Sequence, residues 1–406
     1  MRCLIIPSPD TTSLNIIIRC MSIAAEAIEQ GHEVCVLAPP SLVERFSHLN
    51  LKVYDYPLPP TIERVNMEAP PIKKYGDYAQ LIGLNAPEFI ERSLDVELKA
   101  IDEFTPDVIY SDLNLTASIS ARIRRKPLAS LCNLAWIPPY LLDDSFKEDE
   151  AQVRPFNVVL ARHGLEAIRD LSDLIFLYSD VKVVPTCREF EQFPPGIENI
   201  EYIGYLYSEK LEQQSPVAVL PDGAVNILVY MGIGDIDLEM MREVLPQAFN
   251  GTDYSVTVVA GDFYPELPPP TSNVSYVRFL PLRQALAKTS LALFHGGSGL
   301  VMTCLLYGVP GLMFPCGVYE REFHAETMAK VGAGVVLYEK EDFTAQNLRA
   351  YAEAIMNGEY RKNAINFGRY LLSLGGSKRT VTLLSDLAAC AAHPAQKHAP
   401  VARASR

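Results

Sequence analysis

Along this chain, short apolar runs bounded by Gly, Pro and polar turns alternate with longer stretches whose apolar residues return every three or four positions. The short runs predict buried strands and the long ones amphipathic helices. Arg2–Pro7 reads as a strand, and a polar loop, Ser8–Asn15, follows. A helical stretch then ends at Gln30, before Gly31-His32-Glu33 turns into a second apolar run, Val34–Ala38. Further strands are predicted at Val108–Ser111, Pro127–Asn133, Leu174–Val184, Asn226–Met231, Ser255–Ala260, Val274–Phe279, Leu291–Phe294, Gly311–Phe314 and Gly332–Tyr338. Helices are predicted at Glu88–Phe104, Ser118–Arg125, Val153–Leu171, Leu300–Tyr307, Ala345–Asn357, Glu359–Leu374 and Ser377–Ala392. Such alternation implies an α/β protein with parallel, Rossmann-like sheets. Between Tyr54 and Phe89 no period is sustained, and Pro, Tyr and Met crowd together. That stretch is either irregular surface or a loop lying over a binding site.

The densest chemistry lies between Leu291 and Ala325. An apolar run, the turn His295-Gly296-Gly297-Ser298-Gly299, a helical stretch stopped by Gly308 and Pro310, and a second apolar run make a strand–turn–helix–strand unit. The turn feeds a helix N-terminus, where unpaired N–H groups and the positive end of the dipole favour a phosphate or diphosphate. Gly296, Gly297 and Gly299 let the backbone come close to anion oxygens. Ser298 adds a hydroxyl, and His295 adds a donor able to become cationic as negative charge develops. Taken alone, the pentapeptide is equally a tight turn with a core histidine.

Composition narrows the choice. A chain of 406 residues exceeds one ordinary core and predicts two domains. A formal net charge of −13 argues against a nucleic-acid surface. Eight cysteines without metal-ligand spacing, and no recognisable secretory leader, fit a reducing cytoplasm. Leu291–Phe314 is apolar enough to pass for a membrane span, but its glycine turn and Gly308-Val309-Pro310 break would leave backbone groups unsatisfied in lipid.

The stretch resembles the donor-binding motif of glycosyltransferase family 1, the GT-B enzymes that include antibiotic and plant natural-product glycosyltransferases. The resemblance rests on His295-Gly296-Gly297-Ser298-Gly299, Gly308-Val309-Pro310, Pro315, Glu320-Arg321, His324-Ala325 and Gly332-Ala333-Gly334, in that order. Arg321 stands where Gln is usual and His324 where Asn is usual. The likeness implies two Rossmann-like domains facing a central cleft, with a C-terminal helix returning to the first domain. Residues 1–206 would bind the acceptor and 207–223 form a linker. Residues 224–376 would bind the donor, 377–392 form the returning helix, and 393–406 a disordered tail.

Carried over residue by residue, the resemblance puts the donor diphosphate on His295, Gly296, Gly297, Ser298, Gly299 and Gly234. Donor sugar hydroxyls fall to Glu320, Arg321 and His324, and the nucleobase to the segment around Leu280 and Leu282. Asp235 replaces a usual Ser or Thr. With Asp237 it spells Asp-x-Asp, a tripeptide that metal-using enzymes of another fold employ, but the flanking pattern is that of GT-B and no metal is expected. The family's catalytic His, at the start of the first helix, is Ile16 here, beside Asn15. Asp112, at a strand end, matches the Asp that orients that His; by spacing it is equally an N-cap. Asp112 and then Asp10 are the candidate bases. Asn15, Ile16, Tyr75, Tyr78, Asn133, Trp136 and Tyr140 are the candidate acceptor contacts.

The expected activity is inverting, metal-independent transfer of a sugar from a UDP- or dTDP-sugar, as co-substrate without a further cofactor, to a small natural-product acceptor. A homodimer is compatible with this reading. The alternatives are a nucleotide-binding accessory protein of the same shape and a sugar-nucleotide epimerase or hydrolase.

Overall fold

A computed structural model of the protein describes residues 1–10, 14–62, 73–143, 146–147, 149–206, 220, 225–232, 235–261 and 264–392. The chain divides into two compact units. The first comprises Met1–Glu68, Tyr75–Ser208 and Leu374–Arg406, and the second Ala69–Lys74 and Glu209–Ser373. The junction expected at residue 376 thus falls at Ser373. The expected linker, 207–223, lies outside the described residues except for Leu220, as does the 393–406 tail.

Among the described residues the first unit holds seven strands: β1 (Arg2–Pro7), β2 (Glu33–Ala38), β3 (Lys52–Asp55), β4 (Val108–Asp112), β5 (Leu128–Leu131), β6 (Val181–Val184) and β7 (Ile200–Tyr202). They pair in the order β3-β2-β1-β4-β5-β6-β7, and every pair is parallel. The second unit repeats the plan with β8 (Val225–Tyr230), β9 (Tyr254–Val259), β10 (Val274–Val277), β11 (Thr289–Phe294), β12 (Gly311–Met313) and β13 (Gly334–Val336), in the order β10-β9-β8-β11-β12-β13. Each sheet therefore reverses its winding once, between β1 and β4 and between β8 and β11. Open parallel sheets place ligands at the strand carboxyl ends beside such a reversal.

Central strands such as Cys3–Ile6 and Leu291–Phe294 are fully buried, because helices cover both faces. The last helix, Gly376–Ala392, belongs to the first unit. Its Gly376 N–H donates to the Ile203 carbonyl at 2.7 Å, and Arg379 pairs with Glu201 at 3.1 Å.

Two expected elements differ. The helix predicted over Val153–Leu171 runs Glu150–Arg162: Asp149 caps it by accepting from Ala151 N, and Gly164 leaves it with φ 67°. The strand predicted over Leu174–Val184 begins only at Val181. Residues Asp173–Phe176 are helical, held by the Asp173 carboxylate, which accepts the N–H groups of Arg169 and Asp170. A short apolar run carries no period to tell the two apart. The loop-like stretch after Tyr54 contains a helix, Tyr75–Ile82.

Candidate active site

At the winding reversal of the first sheet, Pro7 of β1 lies opposite Asp112 of β4. The Ser8 N–H donates to the Asp112 carbonyl at 2.6 Å, and Asn114 Nδ2 donates to the Pro7 carbonyl at 3.0 Å. Asn114 also caps the helix Leu115–Ile123, accepting from Thr116 N and Ala117 N. The cap role open to Asp112 therefore goes to Asn114, and the helix starts three residues earlier than its pattern suggested.

Asp112 is fully buried and gripped on both oxygens by Arg19, Nε to Oδ2 at 2.8 Å and Nη2 to Oδ1 at 2.7 Å. The buried carboxylate in turn holds the Arg19 guanidinium well above its ordinary range, outweighing desolvation. A fully buried carboxylate with both oxygens bonded to a guanidinium is held as an ion pair, which disfavours Asp112 as a base. Arg19 sits one helical turn beyond Ile16, itself buried, on the helix Leu14–Glu29. It occupies the carboxylate that, by resemblance, would orient a histidine.

Asp10 is the better placed acid. It is 5% exposed, and Tyr78 Oη donates to its Oδ2 at 2.5 Å. Tyr75, one turn earlier on the same helix, donates to the Leu113 carbonyl at 3.1 Å and packs against Trp136 with ring centroids 5.9 Å apart. Burial first, then the nearby Asp10 and Asp112 charges, push the Tyr75 phenol up, so it stays a neutral donor. Leu113 adopts φ 60°, a strained conformation held between two buried polar neighbours.

Asp10, Tyr75, Tyr78 and Trp136 thus come together. The other candidate acceptor contacts are placed as follows. Asn133 is buried and accepts from Ala135 N at 2.7 Å, as the cap of a short turn. Ile16 is a core side chain, and Asn15 is exposed. The Tyr140 side chain lies outside the described residues.

In the second unit, β11 delivers His295 beside Tyr230 at the end of β8. The helix Ser298–Tyr307 starts at Gly297 with no side-chain cap, and Gly308 ends it with φ 65°. Gly296 has φ 83°, and a Cβ there would meet the Arg321 carbonyl at 2.8 Å and Ala325 Cβ at 2.9 Å. Only glycine lets this turn nest on the helix Tyr319–Lys330.

That packing sets Arg321 and Glu320 beside His295. Desolvation, then the Arg321 charge, lower His295 to about 3 against the opposing pull of Glu320 and the Tyr230 backbone. At neutral pH the ring is therefore uncharged in the free protein. Desolvation lowers Arg321 as well, against Glu320. Burial works to raise Glu320, but the His324 hydrogen bond and the neighbouring charges bring it below its ordinary range.

His324 is 2% exposed, with Nε2 3.4 Å from Glu320 Oε1, so its ring is buried against Glu320. The Leu280 side chain is core, and Leu282 opens the helix Leu282–Leu286. The apolar side chain that stands out of this segment is Phe279, 65% exposed. Gly234 lies outside the described residues. Asp237 accepts from Met240 N at 2.8 Å as a helix cap. Among the described residues no cluster of three or more His, Cys, Asp or Glu has the arrangement of a metal site, and no helix is long and apolar enough to cross a membrane.

Sequence reasoning missed Arg19 and Tyr230. Arg19 left a signal: an arginine within an otherwise apolar helical stretch calls for a buried carboxylate. Tyr230 left none, being one residue of an ordinary strand.

Comparison with known proteins bears on both units. Residues 256–374 match the family of the erythromycin biosynthesis protein CIII-like C-terminal domain. A segment of 125 residues is 33% identical to the aclacinomycin-T 2-deoxy-L-fucose transferase of Streptomyces galilaeus, covering 30% of this chain but only 28% of that protein. A PGL/p-HBAD biosynthesis rhamnosyltransferase of Mycobacterium bovis is 25% identical over 316 residues, 69% of this chain and 68% of its own. The calicheamicin glycosyltransferase CalG4 superposes with a TM-score of 0.75 at 18% identity, covering 98% of this chain and 99% of that one. The glycosyltransferase VinC, solved with DTDP, superposes with a TM-score of 0.70 at 18% identity, covering 96% and 100%. At these identities the structural likeness is one of fold. The chain has the GT-B fold seen in those glycosyltransferases, and residues 256–374 of its second unit are similar to the EryCIII-like C-terminal domain.

Proposed function

We propose that this protein is a glycosyltransferase that moves a sugar from a nucleoside diphosphate, of the thymidine or uridine kind, to a hydroxyl of a small natural-product acceptor, with inversion. The observation that carries this reading is the second unit's turn. An uncapped ten-residue helix start, Gly296 packed on the helix Tyr319–Lys330, a neutral buried-edge histidine and Arg321 converge at a winding reversal. That is positive potential without a side-chain carboxylate in the turn itself, which suits a diphosphate. VinC, of the same fold, was solved with DTDP. Phe279 offers an exposed ring to a base, and Glu320, steadied by His324, offers oxygens to sugar hydroxyls.

In the step itself, the acceptor oxygen bonds to the anomeric carbon as the bond from that carbon to the phosphate oxygen breaks. The electron pair leaves with the diphosphate, and the acceptor proton goes to the Asp10 carboxylate. Tyr78 holds that carboxylate, and Tyr75 with Trp136 present an apolar, aromatic surface beside it. The helix start and Arg321 stabilise the charge that develops on the leaving group, so neither metal nor cofactor is required.

Product analysis with thymidine and uridine diphosphate sugars and a panel of polyketide and phenolic acceptors tests the reading. A heavier glycoside should form, and Asp10→Asn should lower turnover by roughly 10²–10⁴ while leaving nucleotide binding intact. One observation favours a second reading, an accessory nucleotide-binding protein: Ile16 and the Arg19–Asp112 pair occupy the place of a catalytic dyad. If no acceptor is glycosylated although nucleotide binds, that second reading stands.

A further inference from the structure

Asn114 makes hydrogen bonds in two directions. Its Oδ1 accepts the Thr116 and Ala117 N–H groups at 3.2 Å each, capping the helix Leu115–Ile123. Only an acceptor can meet two backbone donors, so the amide has one orientation, with Nδ2 turned the other way. Nδ2 donates to the Pro7 carbonyl at 3.0 Å, across 107 positions of the chain. Pro7 is the last residue of β1, and Ser8, the next, donates its N–H to the Asp112 carbonyl. Asp10 follows, its N–H 3.3 Å from Ser8 Oγ. One side chain thus braces the start of a helix against the strand end from which Asp10 departs.

Packing alone does not hold this loop. Pro9 lines a small void whose other walls are Leu84, Phe89, Asn114, Leu115 and Thr116. A residue beside a void lacks packing partners there, so polar contacts set the path of the loop. The brace is itself anchored. Asn114 is buried, and the Thr116 and Tyr56 hydroxyls lie 3.0 and 3.4 Å from its Oδ1. Both donate at 2.6 Å to one oxygen of Glu97, which is fully buried on the helix Pro87–Phe104. Glu97 thereby gathers the two hydroxyls that wall in the Asn114 amide.

Resting on the reading of Asp10 as the base, we infer that Asn114 is the positioning residue of that base, anchored in turn by Glu97. The line of hydrogen bonds from Glu97 through Thr116 to Asn114 and Pro7 fixes where the Asp10 carboxylate stands against the acceptor hydroxyl. Tyr78 holds the carboxylate itself, and Asn114 holds the backbone from which it springs. Asn114 and Glu97 are both buried and act through Asp10.

The test is steady-state kinetics of the full chain on an acceptor that it glycosylates, with nucleotide affinity measured beside it. Asn114→Ser keeps a helix cap of similar strength but is too short to reach the Pro7 carbonyl. It should lower kcat by about 10–10²-fold, the loss expected of a catalytic group misplaced by ~1 Å, and leave the affinity for thymidine or uridine diphosphate unchanged. Coupling supplies the readout that a general loss of structure would not move. Added to Asp10→Asn, Asn114→Ser should lower turnover hardly further, because the group it positions is gone. Should Asn114→Ser not fold, Glu97→Leu removes the anchoring acceptor and keeps an apolar body. It should lower kcat with the same coupling to Asp10→Asn, and Glu97→Gln, which retains an acceptor oxygen, should recover most of the loss. Full turnover in Asn114→Ser beside an impaired Asp10→Asn, or independent losses in the double variant, would overturn the inference and leave Asp10 as the base. Unimpaired turnover in Asp10→Asn, or no turnover by the wild type on any acceptor, would overturn the base reading and the inference together.

Discussion

The two sheets share one strand order, yet their winding reversals are furnished differently. In the second unit the crevice is a backbone object. Gly296 nests on the opening turns of the helix Tyr319–Lys330, and the neutral His295 and the charged Arg321 lie on or against that turn. In the first unit it is a side-chain object, assembled from residues far apart in the chain. Arg19 reaches Asp112, and Tyr78 reaches Asp10, across 93 and 68 positions. A backbone site is specified by a contiguous motif that tolerates little change. A side-chain site can be refitted by exchanging partners, and here Arg19 holds the carboxylate that by resemblance would serve a histidine. On the proposed reading, one scaffold pairs a donor site fixed by its backbone with a second crevice open to refitting.

The sharpest way to break this comparison is to remove Arg19. Its loss strands a buried carboxylate, so Arg19→Met should cost ~3–5 kcal/mol of stability, read as a lower denaturation midpoint. Replacing both partners, Arg19→Met with Asp112→Leu, should restore most of it, because the desolvation of two charges disappears together. A single Arg19→Met variant as stable as the wild type would show that the first crevice does not depend on this pair.

The units should also respond to pH in opposite directions. Glu97, fully buried on the helix Pro87–Phe104, accepts from Tyr56 Oη and Thr116 Oγ1 at 2.6 Å each, while its Oε2 has no partner among the described residues. Burial lifts its carboxyl from 4.5 to about 7, against the hydrogen bonds of Thr116 and Tyr56. A raised folded value means stability fully present below about 4.5 and lost as pH climbs through about 7. The full effect is about 3 kcal/mol, and Glu97→Gln should flatten it. His295 is lowered instead, so its contribution is present above its ordinary 6.5 and lost as pH falls toward 3. Between pH 4.5 and 6.5 the two slopes oppose each other: Glu97→Gln should remove a fall in stability with rising pH that ends near 7, and His295→Gln a fall on acidification that ends near 3. Both variants changing the slope with the same sign would contradict the assignment.

The difference between the crevices also explains what was legible in the sequence. The parallel architecture followed from alternating periods, and the donor turn from adjacent residues whose spacing is itself the geometry. The first-unit crevice was not legible in this way. Asp112 met the motif and sat at the right strand end, but its role is decided by Arg19, and pairing across 93 residues has no local signature. His324 was assigned to ligand because its neighbours align; a motif gives position along the chain and not the direction a side chain takes. Its side chain is buried, and Phe279 is the exposed member of its own segment.

The smallest of the expected effects tests whether the donor crevice is truly a backbone object. Gly296→Ala adds one methyl group, places a non-glycine residue at φ 83°, and drives its Cβ to 2.8 Å from the Arg321 carbonyl oxygen. That neighbour is main chain at the start of a helix and cannot swing aside as a side-chain tip would. Strain of this kind should lower stability by roughly 1–3 kcal/mol. Because relief requires the turn to lift off the helix, Arg321 and His295 should separate, and thymidine diphosphate affinity should fall by more than the stability loss alone would bring. Ser298→Ala, which removes a hydroxyl and leaves the backbone untouched, is the control, expected within about 0.5 kcal/mol of wild type in stability. If Ser298→Ala weakens nucleotide binding more than Gly296→Ala does, then side chains and not the path of the backbone hold the diphosphate, and the contrast between the two crevices fails at this point.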